Sequence, residues 1–183
     1  MRVVPYTPDH ADEVRAVCLA TASERARTEE THGRFTRLMY CDPYLEHGTC
    51  FMLLDDDDVV RGYTLCAEDF ATWEKLFEPY RKQIESLGPE YAERVNNEYG
   101  DFARTAGEYP AHLHIDIEEP YTGGGNGRKL METLIAYLRT AGVPGVAFGV
   151  AAGNERAIKF YERMGFEHLT EFEDDGPVFG MRF

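Results

Sequence analysis

The stretch "EEPYTGGGNGRKLMETL" runs from Glu118 to Leu134. Four of its residues between Gly123 and Gly127 are glycine, two basic side chains follow, and the segment then takes on a helical pattern. Glycine costs about 0.5–1 kcal/mol relative to alanine wherever structure must be ordered. So dense a cluster implies that bare backbone is needed there. The stretch before it, "AHLHIDI" (Ala111–Ile117), alternates as a strand does. After it, Leu130, Leu134 and Leu138 form one stripe, with Met131 and Ile135 beside it. The loop therefore sits between a strand and the first turn of a helix. The first N–H groups of a helix have no internal partner, and the helix dipole places partial positive charge on them. Glycines let an anion reach those amides, and Arg128 and Lys129 add charge. The loop is a candidate phosphate site. It fits neither G-x-x-x-x-G-K-[ST] nor G-x-G-x-x-G, because Arg128 and Leu130 stand where the patterns need other residues.

Working outward, Gly142 is placed to end the helix and Pro144 to prevent its resumption. "GVAFGV" is an almost wholly apolar strand, expected where both faces of a sheet are covered. "GNERAIKFYERMGF" reads as a helix capped by Asn154 and ended by Gly165. "FEHLTEF" and "PVFGMRF" make a last hairpin around "EDDG". In the first half, "RVVPY" is a strand, and Thr7 and Pro8 open a helix. A second helix is expected around Glu24–Leu38. "TCFMLL" and "VVRGYTLCA" flank Asp55–Asp58 as a hairpin with a solvated turn. Residues 68–109 differ in kind. Phe70, Trp73, Phe77 and Tyr80 recur at three- and four-residue spacing, and helical pieces broken by Gly and Pro continue to Tyr109. That segment reads as a helical insertion between the third and fourth strands. The whole is a mixed α/β chain, one domain over residues 1–183.

Composition narrows the function. At 183 residues and 43% hydrophobic, the chain can bury a sizeable core. The net charge of −14 argues against a nucleic-acid partner and favours cationic ones such as amines. No apolar run is long enough to span a bilayer, and the N-terminus turns acidic at once, so no signal peptide and a cytoplasmic setting are expected. Cys18, Cys41, Cys50 and Cys66 lack C-x-x-C pairing or zinc-ligand spacing; no metal site is expected.

"T-G-G-G-N-G-R-K-L" is similar to the Q/R-x-x-G-x-G/A signature of the GNAT acetyltransferases, with Gly125, Asn126 and Gly127 matching its end. "N-E-R-A-I-K-F-Y-E-R-M-G-F" resembles the family's second signature through Asn154, Ala157, Tyr161, Gly165 and Phe166. "HLHIDI", "LRTAGVPGVAF" and "FYERMGF" look more narrowly like the acetyltransferase-like C-terminal domain of O-GlcNAcase and its free-standing bacterial relatives. The O-GlcNAcase domain is regarded as a pseudo-acetyltransferase that has lost the glycine loop; this chain retains it. Thr122 stands where the family has Gln or Arg.

The resemblance implies a GNAT fold: a central twisted mixed sheet of six to seven strands flanked by helices. It implies an acetyl-CoA-dependent N-acetyltransferase in which a primary amine attacks directly. The alternative is a non-catalytic module that binds acetyl-CoA or a peptide. Coenzyme A would lie along Ile115, Asp116 and Ile117, with its pyrophosphate on Gly123, Gly124, Gly125, Asn126, Gly127, Arg128 and Lys129, and with Asn154 and Tyr161 nearby. Tyr161 matches the family's general acid, and a phenol, with a pKa near 10, stays protonated at neutral pH. The base is not fixed by the family match. His112, His114, Asp116 and Glu118 share one face of their strand, and such a row is costly to bury without partners or a task. His114 and Asp116 are the candidates for proton removal; His112, Glu118 and Trp73 are candidates for acceptor contact. The acceptor itself, a cationic amine, is left open, as is a homodimer.

Overall fold

The computed structural model describes the whole chain except residues 173–175. The elements follow in the order β1 (Arg2–Pro5), α1 (Ala11–Thr21), α2 (Glu24–Thr28), α3 (Glu30–Tyr40), α4 (Asp42–His47), β2 (Thr49–Leu54) and β3 (Val60–Ala67). Then come α5 (Phe70–Glu85), α6 (Pro89–Thr105), β4 (His112–Ile117), α7 (Asn126–Ala141), β5 (Gly145–Gly149), α8 (Glu155–Met164), β6 (Glu167–Phe172) and β7 (Gly176–Arg182). Strands β1–β4 form an antiparallel sheet in sequence order, and β5, β7 and β6 form a second one. Among the described residues, the two sheets are joined by a parallel bridge, Ala111 to Val146. There Ala111 N donates to Gly145 O at 3.2 Å and Ala147 N donates to Ala111 O at 2.9 Å. Beyond this bridge β4 and β5 separate, so among the described residues β4 from Leu113 onward is paired on its β3 edge alone. The mixed α/β architecture expected is present, with seven strands among the described residues where six to seven were expected, and α5 and α6 are the helices inserted between the third and fourth strands.

Alternation along the strands assigns the two faces. Met52, Leu54, Tyr63 and Leu65 point to a core with Val14, Val17 and Phe35 of the early helices and Trp73, Phe77 and Ile84 of α5. Leu53, Cys66 and Leu113 point the other way, against Leu130, Leu134 and Leu138 of α7 and Tyr161 of α8. Each of the three α7 leucines is fully buried, contributing about 1.5–3 kcal/mol. The helix ends where its sequence says: Gly142 N donates to Arg139 O at 3.2 Å and Val143 N to Leu138 O at 3.0 Å. The four cysteines are buried and unpaired.

Two local expectations change. Residues 22–48 hold three helices instead of one. The chain breaks at Glu29, whose backbone is extended (φ −110°, ψ 116°), and α3 turns back so that Gly33 lies against Ala26; a Cβ at Gly33 would stand 2.7 Å from Ala26 O. Thr7 precedes a 3-10 turn at Pro8–His10 and leads into α1, with its Oγ1 near His10 Nδ1 at 3.1 Å. The aspartate turn forms as expected: Asp55 Oδ1 accepts from the amides of Asp57 and Val59 at 2.9 and 3.0 Å. The tip of the last hairpin, "EDDG", falls largely outside the described residues.

Candidate active site

The glycine loop is built from left-handed backbone. Gly123, Gly124 and Gly125 have φ of 89°, 55° and 82°, which other residues adopt at a cost of about 1–2 kcal/mol each. A Cβ at any of the three would meet nothing within 4 Å, so the glycines are required by backbone shape and open toward free space. The first helical bond of the next element is Lys129 N to Gly125 O, at 3.0 Å, which leaves the amides of Gly127 and Arg128 ahead of it. Gly127 lies close to α8; its Cβ would touch the Phe160 ring at 3.4 Å. Asn126 departs from expectation. Its amide donates to Gly123 O at 3.0 Å and its side chain Nδ2 to Tyr121 O at 3.0 Å, so it locks the loop and turns those donors away from a ligand. Thr122 likewise turns back, its hydroxyl donating to Glu119 O at 2.8 Å. Arg128 and Lys129 are exposed, Arg128 pairing with Glu132 at 3.1 Å.

Two cavities flank β4. The first, of about 170 Å³, fills the gap where β4 and β5 separate. Leu113, Ile115, Phe148, Val150 and Tyr161 form its walls, and Asn154 stands at its rim with Oδ1 accepting from Ala157 N at 3.1 Å. The second, of about 340 Å³, lies on the opposite side of the strand. Its walls are Cys18 and Thr21 of α1, Ser23, the face of α3 carrying His32, Phe35, Thr36 and Tyr40, and Arg94 of α6. His114 and Asp116 belong to both cavities. This is the consequence of a strand whose two faces are both lined and whose free edge is unpaired.

The titratable groups at this junction are strongly perturbed. Burial pushes the Asp116 carboxyl above the usual aspartate range, and the Tyr63 hydroxyl, donating to Oδ2 at 2.7 Å, pulls it part of the way back. Burial holds His114 down to about 4, so its ring is neutral at physiological pH, with Nε2 3.1 Å from the Tyr44 hydroxyl. Tyr161 is 7% exposed; burial, reinforced by negative Asp116, raises its phenol and keeps it protonated. Ile117 packs beside Gly127 at the loop end of the same strand.

Three expected acceptor contacts are not at the junction. His112 is 2% exposed and walled by Phe102, Trp73, Tyr44 and Phe70, with neither ring nitrogen partnered. Trp73 is buried against Tyr44 and Phe77, because the aromatic stripe of α5 faces the core. Glu118 pairs with Arg61 at 3.2 Å, and Arg61 also holds Asp55 at 2.7 Å. The residues that line the larger cavity from α1, α3 and α6 were not singled out by sequence; the spacing of His32, Phe35, Thr36 and Tyr40 on one helical face was the available signal.

The model of the acetyltransferase (GNAT) family matches residues 19–166. The chain belongs to this family. Solved structures agree on the GNAT fold. A protein named SsHAT has a TM-score of 0.84 at 24% identity, over 99% of this chain and 97% of its own. A GNAT-family acetyltransferase from Staphylococcus aureus Mu50 has a TM-score of 0.62 at 12% identity, over 99% and 98%. A GCN5-related N-acetyltransferase from Kribbella flavida has a TM-score of 0.60 at 14% identity, over 100% and 97%. Acetyl transfer is accordingly the chemistry of its family. Among the described residues no helix is long and apolar enough to cross a membrane.

Proposed function

We propose that this GNAT protein moves an acetyl group from acetyl-CoA to a primary amine by direct attack. The observation that carries the reading is the pair of cavities meeting at His114 and Asp116. One provides room for the pantetheine arm beside Tyr161, and the other for an acceptor. Acetyl-CoA fits the residues present: a left-handed glycine loop open to solvent, helix amides ahead of α7, and an unpaired β4 edge. The amides of Gly123–Gly125, Gly127 and Arg128 would hold the pyrophosphate, and the backbone of Ile115–Ile117 the arm. Acetyl-CoA supplies the acyl group as a thioester.

In this reading Asp116 removes the proton from the incoming ammonium, directly or through water. Its raised pKa makes it a stronger base than an exposed aspartate. His114, held neutral, bonds within the junction without placing a second cation beside the amine. Tyr161 returns a proton to the departing sulfur. The narrower likeness to the O-GlcNAcase acetyltransferase-like domain rests on the sequence blocks quoted above. The second reading, a non-catalytic binding module, draws support from Thr122, whose hydroxyl is turned back to Glu119 where the family places a long polar side chain.

Thiol release from acetyl-CoA, followed with a panel of amines, separates the two. Tyr161→Phe is expected to lower kcat by about 10²- to 10⁴-fold, the range of general acid–base assistance, with acetyl-CoA binding retained. Cofactor binding without turnover across the panel favours the module. Undiminished activity in Tyr161→Phe removes the general-acid assignment.

A further inference from the structure

The larger cavity contains an ionic group without a counterpart. Arg94 of α6 reaches its mouth and stacks its guanidinium over Phe35, 4.9 Å from the ring centroid. Among the described residues it forms no ion pair, although the chain has 33 acidic residues against 19 basic ones. The nearby carboxylates are engaged elsewhere. Glu90 and Glu29 both bind Arg25, at 2.8 Å each, and Glu98 accepts from the Tyr40 hydroxyl at 2.7 Å. His32 also lines the cavity; it is 6% exposed, and its Nδ1, which donates in the Nδ1–H tautomer, is buried without a partner. Ser23 Oγ accepts from Ala26 N at 3.3 Å, which leaves its own hydroxyl proton to donate. Asp116 lines the same cavity and offers an acceptor for an amine.

We propose that the acceptor is a small amine that also carries an oxyanion, and that Arg94, helped by His32 and Ser23, binds that oxyanion while the amine meets Asp116. This rests on the acetyl-transfer reading and names its substrate class. It follows from charge placement. A plain polyamine would bring a second cation against an unpaired guanidinium, whereas an amino acid or an amino phosphate satisfies both ends. Arginine's planar fork matches a carboxylate or phosphate with two parallel bonds, and its stacking on Phe35 fixes the fork at the wall. The acidic chain draws amines generally; the cavity selects among them.

The test uses matched acceptors with and without the acid: phenylalanine against phenethylamine, and phosphoethanolamine against ethanolamine. Both thiol release and calorimetric binding in the presence of coenzyme A are read, for wild type, Arg94→Gln and Arg94→Lys. In at least one pair the acid-bearing member is expected to have kcat/KM at least tenfold above its partner, and the pair that responds identifies the oxyanion. Arg94→Gln then lowers kcat/KM for the acid-bearing member at least tenfold more than for its plain partner, chiefly through KM, and Arg94→Lys recovers part of the loss. Equal losses for both members, or plain amines preferred by the wild type, overturn the proposal. Arg94-dependent binding without turnover upholds the oxyanion site and overturns the acetyl-transfer reading. Turnover with no Arg94-dependent preference does the reverse.

Discussion

His112→Leu isolates the energetics of an enclosed, unpartnered imidazole. His112 lies in an aromatic box, its ring stacked on Phe102 with centroids 4.2 Å apart, and both of its nitrogens lack partners. Burial, with His114 adding to it, lowers its pKa to about 3. In the unfolded chain the same ring titrates near 6.5. The sign follows: between these values the unfolded state takes up a proton that the folded state refuses, so folding stability is full above pH 6.5 and declines as pH falls. From pH 7.5 to 5.5 the unfolded ring gains about 1.4 kcal/mol from protonation, while the folded ring gains essentially nothing. At neutral pH the substitution removes an orphaned donor and acceptor, worth about 1–3 kcal/mol, and loses ring contacts worth about 0.5–1.5 kcal/mol. The net there is small. The pH difference is the diagnostic, because His114 and every other group titrate in both proteins and cancel. Stability measured by urea unfolding at the two pH values is expected to show the leucine variant gaining about 1.4 kcal/mol on the wild type as pH falls. In melting temperature that is about 3–6 °C for a chain of this size. Parallel pH profiles would refute the reasoning, since they require a folded-state proton partner for His112.

Gly125→Ala should weaken coenzyme A binding and cost about 1–2 kcal/mol of stability, from backbone strain alone, because φ is 82° and the added Cβ meets nothing within 4 Å. Titration with coenzyme A checks it; unchanged affinity would separate the loop's shape from cofactor binding. Tyr63→Phe removes the hydroxyl that lowers the Asp116 pKa. The acid limb of the kcat/KM profile should therefore move to higher pH, as a base that must be deprotonated becomes harder to ionise. A limb that stays in place or moves down would assign it to another group.

Much of this was legible because it depended on local rules. Left-handed glycines, a helix opening after them, and the Asn154 and Gly165 boundaries of α8 are all fixed by residues within a few positions of each other. So was the two-faced character of β4, which alternation alone predicts. What failed depended on which face meets which neighbour. The stripe Phe70–Trp73–Phe77 announced an amphipathic helix, but a stripe does not say whether it covers a ligand or a core. Here it closes the core over Tyr44 and His112, so removing the insertion would strip the hydrophobic centre along with any acceptor selectivity. The break at Glu29 carries no glycine or proline; it exists because α3 packs back on α2 through Gly33. Arg94 is one exposed arginine among many in sequence, and becomes distinctive only when α6 brings it against Phe35 while neighbouring carboxylates turn to Arg25 and Tyr40.

These observations also explain why His112 and His114, two residues apart on one strand face, have different prospects. Both rings are held neutral by burial. The helical insertion covers His112 with Phe102 and Phe70, leaving it 2% exposed. One step along the same face the cover changes to α1 and α3, whose small and polar residues Cys18, Thr21 and Thr36 leave a cavity over His114 and Asp116. The strand supplies a row of titratable groups, and the helices above it decide which of them can act. A functional row would place the most perturbed group at the chemistry. Here the most perturbed histidine is the sealed one, so the size of a pKa shift marks depth of burial along β4, and access marks the site.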